Sequence, residues 1–163
     1  MVQIPRCARD DTLFMTPKIL IASDHAGFEL KRKLEHALEQ LGYDVDDLGT
    51  NSAESTDYAD YAHPLAREVS EGRAERGVLL CGTGLGMSYT ANRYPHVRAA
   101  VAWNPEIARL AREHNDANVL VLPARFVSDS EAAVILTTWL ETPFEGGRHA
   151  RRVDKIETAD HRP

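Results

Sequence analysis

Gly77-Val78-Leu79-Leu80-Cys81-Gly82-Thr83-Gly84-Leu85-Gly86 is the stretch on which the fold of this chain turns. Its first half is apolar without interruption, the pattern of a strand covered on both faces of a parallel sheet. Its second half carries glycines at 82, 84 and 86, which leave backbone N–H groups unshielded by side chains and open to a ligand. A buried strand that runs into such a loop marks the C-terminal edge of an open α/β sheet, where ligand crevices form. The thiol at the junction suggests a nucleophile or base beside an anion-cradling loop. Taken without its surroundings, Cys81 is equally well a buried structural cysteine in a tight strand-to-helix turn.

Working outward, the same strand pattern recurs at Lys18 to Ser23, and further strands are predicted at Tyr43 to Leu48, Val97 to Ala102 and Asn118 to Leu122. Three aspartates make the second of these the weakest. Helical stripes lie between them. Leu30, Leu34, Ala37, Leu38 and Leu41 share one face and are stopped by Gly42. Tyr61, Leu65, Ala66 and Val69 mark a short helix, and another follows the glycine loop around Ser88 to Arg93. Asn104-Pro105 is a helix start, with a side-chain cap and proline at the first helical position, and it precedes a face of Ile107, Leu110, Ala111 and His114. Ser128 and Glu131 have capping-box spacing ahead of Ala132, Ile135, Leu136 and Trp139. Arg148 to Thr158 is a basic, helical-looking end. Strands alternating with helices imply an α/β fold: a doubly wound, parallel, five-stranded sheet with helices on both faces. Residues 1–17 read as a flexible N-terminal extension, 18–158 as a single domain and 159–163 as a short tail.

A chain of 163 residues fits one hydrophobic core. Its 25 acidic and 19 basic residues give a formal charge of −6, which argues against nucleic acid held on a broad basic face but not against a small anion held by a few arginines. Cys7 and Cys81 make no disulfide framework and no Cys-x-x-Cys motif. No run approaches the ~18 apolar residues of a membrane span, and residues 1–17 lack a signal-peptide apolar block. The expected setting is a reducing cytoplasm with no membrane partner.

Four patches carry candidate chemistry. Asp24-His25 offers a carboxylate and an imidazole that can move protons between sugar oxygens, although Asp24 could simply cap a helix and His25 could be a solvated loop residue. The Cys81 loop is no dinucleotide fingerprint, because Met87 stands where the third glycine belongs, and no Walker loop, because no Gly-Lys-Ser/Thr follows. Met87 also occupies the position of the arginine in a cysteine-phosphatase loop. What remains is a generic oxyanion nest next to a thiol. His114 lies among Glu113, Asn115 and Asp116, polar company for what is otherwise a common core histidine. Arg148 and Arg152 sit one helical turn apart and could grip a phosphate together. No set of His, Asp, Glu or Cys shows metal-ligand spacing, so no metal is expected.

Six runs stand in order along the chain: Ser-Asp-His-Ala-Gly-Phe at 23–28, Thr-Asp-Tyr at 56–58, Cys-Gly-Thr-Gly-Leu-Gly-Met-Ser at 81–88, Ala-Asn at 91–92, His-Asn-Asp-Ala-Asn-Val-Leu at 114–120 and Phe-Glu-Gly-Gly-Arg-His at 144–149. On these, from Lys18 to Ile156, the chain resembles the type B ribose-5-phosphate isomerases and the wider sugar-phosphate isomerase group that includes the galactose-6-phosphate isomerase subunits. The resemblance implies a Rossmann-like domain, no cofactor, and a homodimer or tetramer whose active sites draw residues from both subunits. It implies a phosphosugar substrate and interconversion of ribose 5-phosphate with ribulose 5-phosphate through an enediolate. Cys81 would be the base and His114 the acid that helps open the ring. Asp24 and His25 would contact substrate, and the N–H groups of Gly82, Thr83, Gly84, Leu85 and Gly86 would hold the enediolate. Arg125, Arg148 and Arg152, with Asn115, would bind phosphate and hydroxyl groups. Where some relatives carry a glutamate base in the loop, this chain is apolar. Alternatives are an isomerase of a six-carbon phosphosugar such as allose or galactose 6-phosphate, and a non-catalytic phosphosugar-binding module. Two features depart from the family pattern: the 17-residue lead-in, and Arg93-Tyr94-Pro95-His96, expected to lie near enough to the site to shift substrate preference.

Overall fold

Runs of Ile, Leu and Val that are apolar at every position need cover on both faces, and the chain supplies it by alternating each strand with a helix. The computed structural model describes residues 16–157, so Cys7, almost all of the lead-in and the 159–163 tail lie outside the described residues. The elements are β1 (Lys18–Ser23), α1 (Phe28–Gln40), β2 (Asp44–Asp47), α2 (Tyr58–Ser70), β3 (Arg76–Cys81), α3 (Leu85–Ala91), β4 (Ala99–Val101), α4 (Pro105–Asn115), β5 (Val119–Pro123), α5 (Asp129–Glu141) and α6 (Arg148–Asp154), with one 3-10 turn at His25–Gly27. The five strands are all parallel, in the order β2-β1-β3-β5-β4.

Because side chains alternate across a strand, each central strand feeds two cores. Ile19, Ile21, Val78, Leu80, Leu120 and Leu122 meet α1, α4 and α5 on one face, around fully buried Trp139. Leu20, Ala22, Leu79, Cys81, Val119 and Val121 meet α2 and α3 on the other. The doubly wound sheet expected from the alternation is the sheet observed.

Boundaries differ where an element sits at an edge. β2 and β4 are shorter than their apolar runs suggest because each pairs on one side only. The aspartates of β2 are accommodated there, Asp46 within 3.3 Å of Lys18 Nζ. Leu41, expected on the buried stripe of α1, is 52% exposed because the helix has ended and it serves as the C-cap. α3 starts at Leu85 rather than near Ser88, since left-handed Gly84 turns the chain into the helix. In α4 the buried line is Ala108, Ala111 and Arg112. Ile107, Leu110 and His114 are only half-buried, because the small side chains are the ones turned inward. α6 ends at Asp154, short of the expected Thr158.

From β1 the chain moves to β2 on one side and then to β3 on the other. The C-terminal ends of β1 and β3 therefore flank a topological switch point, the place where open α/β sheets bind ligands. Among the described residues no helix is long and apolar enough to cross a membrane.

Candidate active site

Cys81 is the last residue of β3 and points to the α2/α3 face, 4% exposed. Its Sγ accepts the N–H of Gly84 at 3.2 Å. Gly84 has φ 76°, a conformation that costs a side chain dearly but lets the loop fold back over the sulfur. Gly86 is needed for a different reason: a Cβ there would lie 2.5 Å from Cζ of Tyr58, whose ring rests on the loop. Thr83 Oγ1 accepts the N–H of Leu85 at 3.3 Å. Two of the five loop donors expected for an oxyanion are therefore engaged locally. Met87, which follows Gly86 in α3, is fully buried.

Arg125 follows β5 and is tied to the same loop, its N–H donating to Gly82 O at 3.1 Å while Ala124 N donates to Cys81 O at 2.9 Å. Its Nη1 would be 3.0 Å from a Cβ on Gly82, which places an exposed guanidinium beside the glycine nest.

Across the switch point, Asp24 N donates to Leu80 O at 3.2 Å. The buried Asp24 carboxylate accepts from Ala26 N at 2.9 Å and Gly27 N at 3.2 Å, so it does cap the 3-10 turn. His25 is more than a solvated loop residue. Its N–H donates to Thr56 Oγ1 at 3.2 Å and its Nδ1 accepts Thr56 N–H at 3.1 Å. With Nδ1 an acceptor, the neutral ring carries its proton on Nε2. Thr56 was legible as part of a motif, but not as the residue that sets this tautomer.

The loop that carries Thr56 is anchored by Lys31, which sequence reading passed over. Its side chain is wholly buried, with Nζ 2.5 Å from Asp47 Oδ1 and 2.7 Å from Thr50 O. The only signal was a lysine one step after Leu30 on an otherwise apolar stripe. Burial, with the carboxylate of Asp47 next in weight, pushes the nearby Glu35 carboxyl above its usual range.

The remaining candidates lie elsewhere. His114 and Asn115 end α4, and the His114 ring stacks on His149 with centroids 4.3 Å apart and planes 10° apart. His149, 5% exposed, has Nε2 3.4 Å from Glu145 Oε2. Glu145 N donates to Glu113 O at 3.1 Å, tying the entry to α6 onto α4. Arg148 and Arg152 are exposed on α6. Glu113 pairs with Arg109, and Asp116 with Arg112 at 2.8 Å.

One chain does not bring these two groups together. In the sheet Gly77 pairs with Val119 and Cys81 with Pro123. Cys81 and Arg125 therefore stand at the C-terminal edge, and His114, just ahead of β5, at the N-terminal edge. Four strand residues at ~3.3 Å each separate the edges by about 13 Å. Within a chain Arg125 therefore stands at the opposite end of the sheet from Arg148 and Arg152. The segment Arg93-Tyr94-Pro95-His96 is likewise not beside Cys81. Pro95 O accepts from Ser70 Oγ at 2.7 Å and His96 O from Asn118 Nδ2 at 2.7 Å, which holds the segment at the N-terminal edge.

Comparison with known proteins gives the family of the fold. The family model described as Ribose/Galactose Isomerase matches residues 19–156. Ribose-5-phosphate isomerase B of Escherichia coli is 43% identical over 145 residues, 89% of this chain and 97% of that protein. A ribose 5-phosphate isomerase structure from Thermotoga maritima superposes with a TM-score of 0.85 at 53% identity, covering 88% of this chain and 99% of that one. Ribose-5-phosphate isomerase B from Mycoplasma genitalium, solved with ribulose 5-phosphate bound, has a TM-score of 0.84 at 44% identity over 87% of this chain and 95% of that one.

Proposed function

The chain belongs to the ribose/galactose isomerase family, and from that premise we propose that it interconverts ribose 5-phosphate and ribulose 5-phosphate, with Cys81 as the proton-transferring base. The observation that carries this is the Cys81 sulfur at the switch point, under a glycine loop whose Gly82 lies against the Arg125 guanidinium. The relative solved with ribulose 5-phosphate supports the choice of a five-carbon phosphosugar.

The chemistry follows from the groups available. Once the sugar is open, the Cys81 thiolate takes the C2 proton of the aldose and leaves a 1,2-enediolate. The enediolate charge falls on oxygens facing backbone N–H groups of the loop, where one well-aimed donor is worth about 2.7–4 kcal/mol. A proton shifts between O1 and O2, and the thiol returns its proton to C1 to give the ketose. Arg148 and Arg152, with Arg125 and Asn115, bind the phosphate and hydroxyl groups, so their effect is orientation and binding. His25 presents its Nε2–H to sugar hydroxyls. His114 protonates the ring oxygen as its bond to C1 breaks, and the anomeric hydroxyl gives its proton to solvent water.

His114, Asn115, Arg148 and Arg152 reach a Cys81 only if they come from a second copy. We therefore assign the working unit to a homodimer with shared sites. Leu85, Tyr89 and Trp103 are 47%, 63% and 56% exposed, apolar area of the kind such a contact covers. A reducing cytoplasm is the proposed setting, supported by the free thiol of Cys81.

The test is turnover on ribose 5-phosphate, allose 6-phosphate and galactose 6-phosphate side by side, with Cys81→Ala alongside. The expected result is the highest kcat/KM for the five-carbon substrate and a fall in kcat of about 10²–10⁴-fold in the variant, the range for loss of a general base. Preference for a six-carbon sugar moves the substrate, and wild-type turnover without the thiol removes Cys81 from the mechanism.

A further inference from the structure

Among the described residues, His114, Glu145 and His149 form a cluster of ligand-type side chains outside the sulfur and its loop. Their nearest donor atoms, ring nitrogens and a carboxylate oxygen, all lie within 4.8 Å of one another. They come from two elements. Glu145 lies in the loop four residues ahead of His149 in the first turn of α6, and the hydrogen bond from Glu145 N to Glu113 O sets them against His114. The stacked rings put His149, almost fully buried, directly against His114.

We propose that these three residues form a binding site for a divalent transition metal of the zinc type, and that the bound ion shuts the enzyme off by occupying His114. Two imidazoles and one carboxylate are a ligand set that zinc accepts with a fourth position left to water. Imidazole-rich sites favour zinc, copper and nickel over magnesium and calcium. Ligand bonds of about 2.0–2.2 Å place ligand atoms about 3.3 Å apart in a tetrahedron, so donor atoms within 4.8 Å of one another need close by no more than about 1.5 Å. Glu145 can supply much of that movement. Its side chain is 52% exposed, and Gly146 and Gly147 follow it with φ of 67° and 56°. The inhibitory half of the proposal rests on the role assigned to His114 above; the binding half does not.

The experiment titrates Zn²⁺ into the metal-free full chain by calorimetry and follows Co²⁺ by visible absorption. The expected result is one ion per chain, bound in the micromolar range. Glu145→Gln should weaken it about 10–100-fold while leaving metal-free isomerase turnover unchanged, and His149→Gln should weaken it similarly. The cobalt complex should show d–d bands without thiolate charge transfer, and it should persist in Cys81→Ala. Added Zn²⁺ should inhibit the wild-type chain and spare Glu145→Gln. Absence of binding, equal affinity in Glu145→Gln, or a thiolate band that disappears in Cys81→Ala overturns the site. Binding at this site without inhibition upholds it and instead removes His114 from the isomerase mechanism.

Discussion

Lys31 places an ammonium where no solvent reaches it, and its two partners, Asp47 and the Thr50 carbonyl, are the posts of the loop that holds Thr56. Lys31→Met leaves that carboxylate and carbonyl without their donor. Breaking a buried pair costs about 3–5 kcal/mol, and the low end applies because Asp47 keeps a quarter of its surface in water. Denaturant unfolding should therefore show a loss of about 3 kcal/mol. Where the variant folds, a rise in KM follows from loosening Thr56 and, through it, His25. Arg148→Ala belongs to the same scale: the KM for ribose 5-phosphate should rise while kcat holds, and an unchanged KM removes Arg148 from phosphate binding. The sequence announced the chemistry of these positions better than their geometry. Cys81 and His25 stood out as residue types in a motif, but the acceptor role of His25 Nδ1 depends on a backbone N–H 31 positions away along the chain. Lys31 was invisible because a lysine beside a leucine stripe ordinarily extends its head into water.

Capping and edge effects govern the elements. Ser128 and Glu131 form the expected capping box at the start of α5: Glu131 N donates to Ser128 Oγ at 3.2 Å, and Glu131 Oε2 accepts Ser128 N–H at 2.7 Å. Ser128→Ala should cost about 1 kcal/mol in a denaturant titration. The hydrogen bond from the Ser128 backbone lowers the Glu131 carboxyl below its usual range. A carboxyl lowered by folding gives support that is present above its unfolded-state value and lost as pH falls through the folded one. The Glu131→Gln penalty should accordingly shrink on acidification, and a constant penalty from neutral to acid pH contradicts the charged cap. These local signals were readable because they act over three or four residues. The rotation of α4 was not, because it depends on which side chains fit the neighbouring helix and sheet. Ala108 and Ala111 admit a closer approach than Ile107 and Leu110, so the smaller face turned inward.

At the scale of the molecule, alternating strands and helices dictated a parallel sheet, and the six ordered runs indicated the chemistry. Neither revealed that the runs divide between the two ends of that sheet. Pairing register decides this, and only the fold supplies the register. A mixing experiment reads the division directly. Cys81→Ala and His114→Gln should each be inactive alone. Equal amounts exchanged to equilibrium yield half mixed dimers, each with one intact site of two, and so about a quarter of wild-type activity. No recovery after verified subunit exchange contradicts shared sites.

On the shared-site proposal, a thiol at one end of the sheet and an imidazole at the other would leave a solitary chain catalytically mute. Specific activity is then a property of concentration as well as of sequence. Diluted below the point where copies pair, the rate falls with the square of the amount present, and a freshly diluted sample loses activity at the pace of its own dissociation.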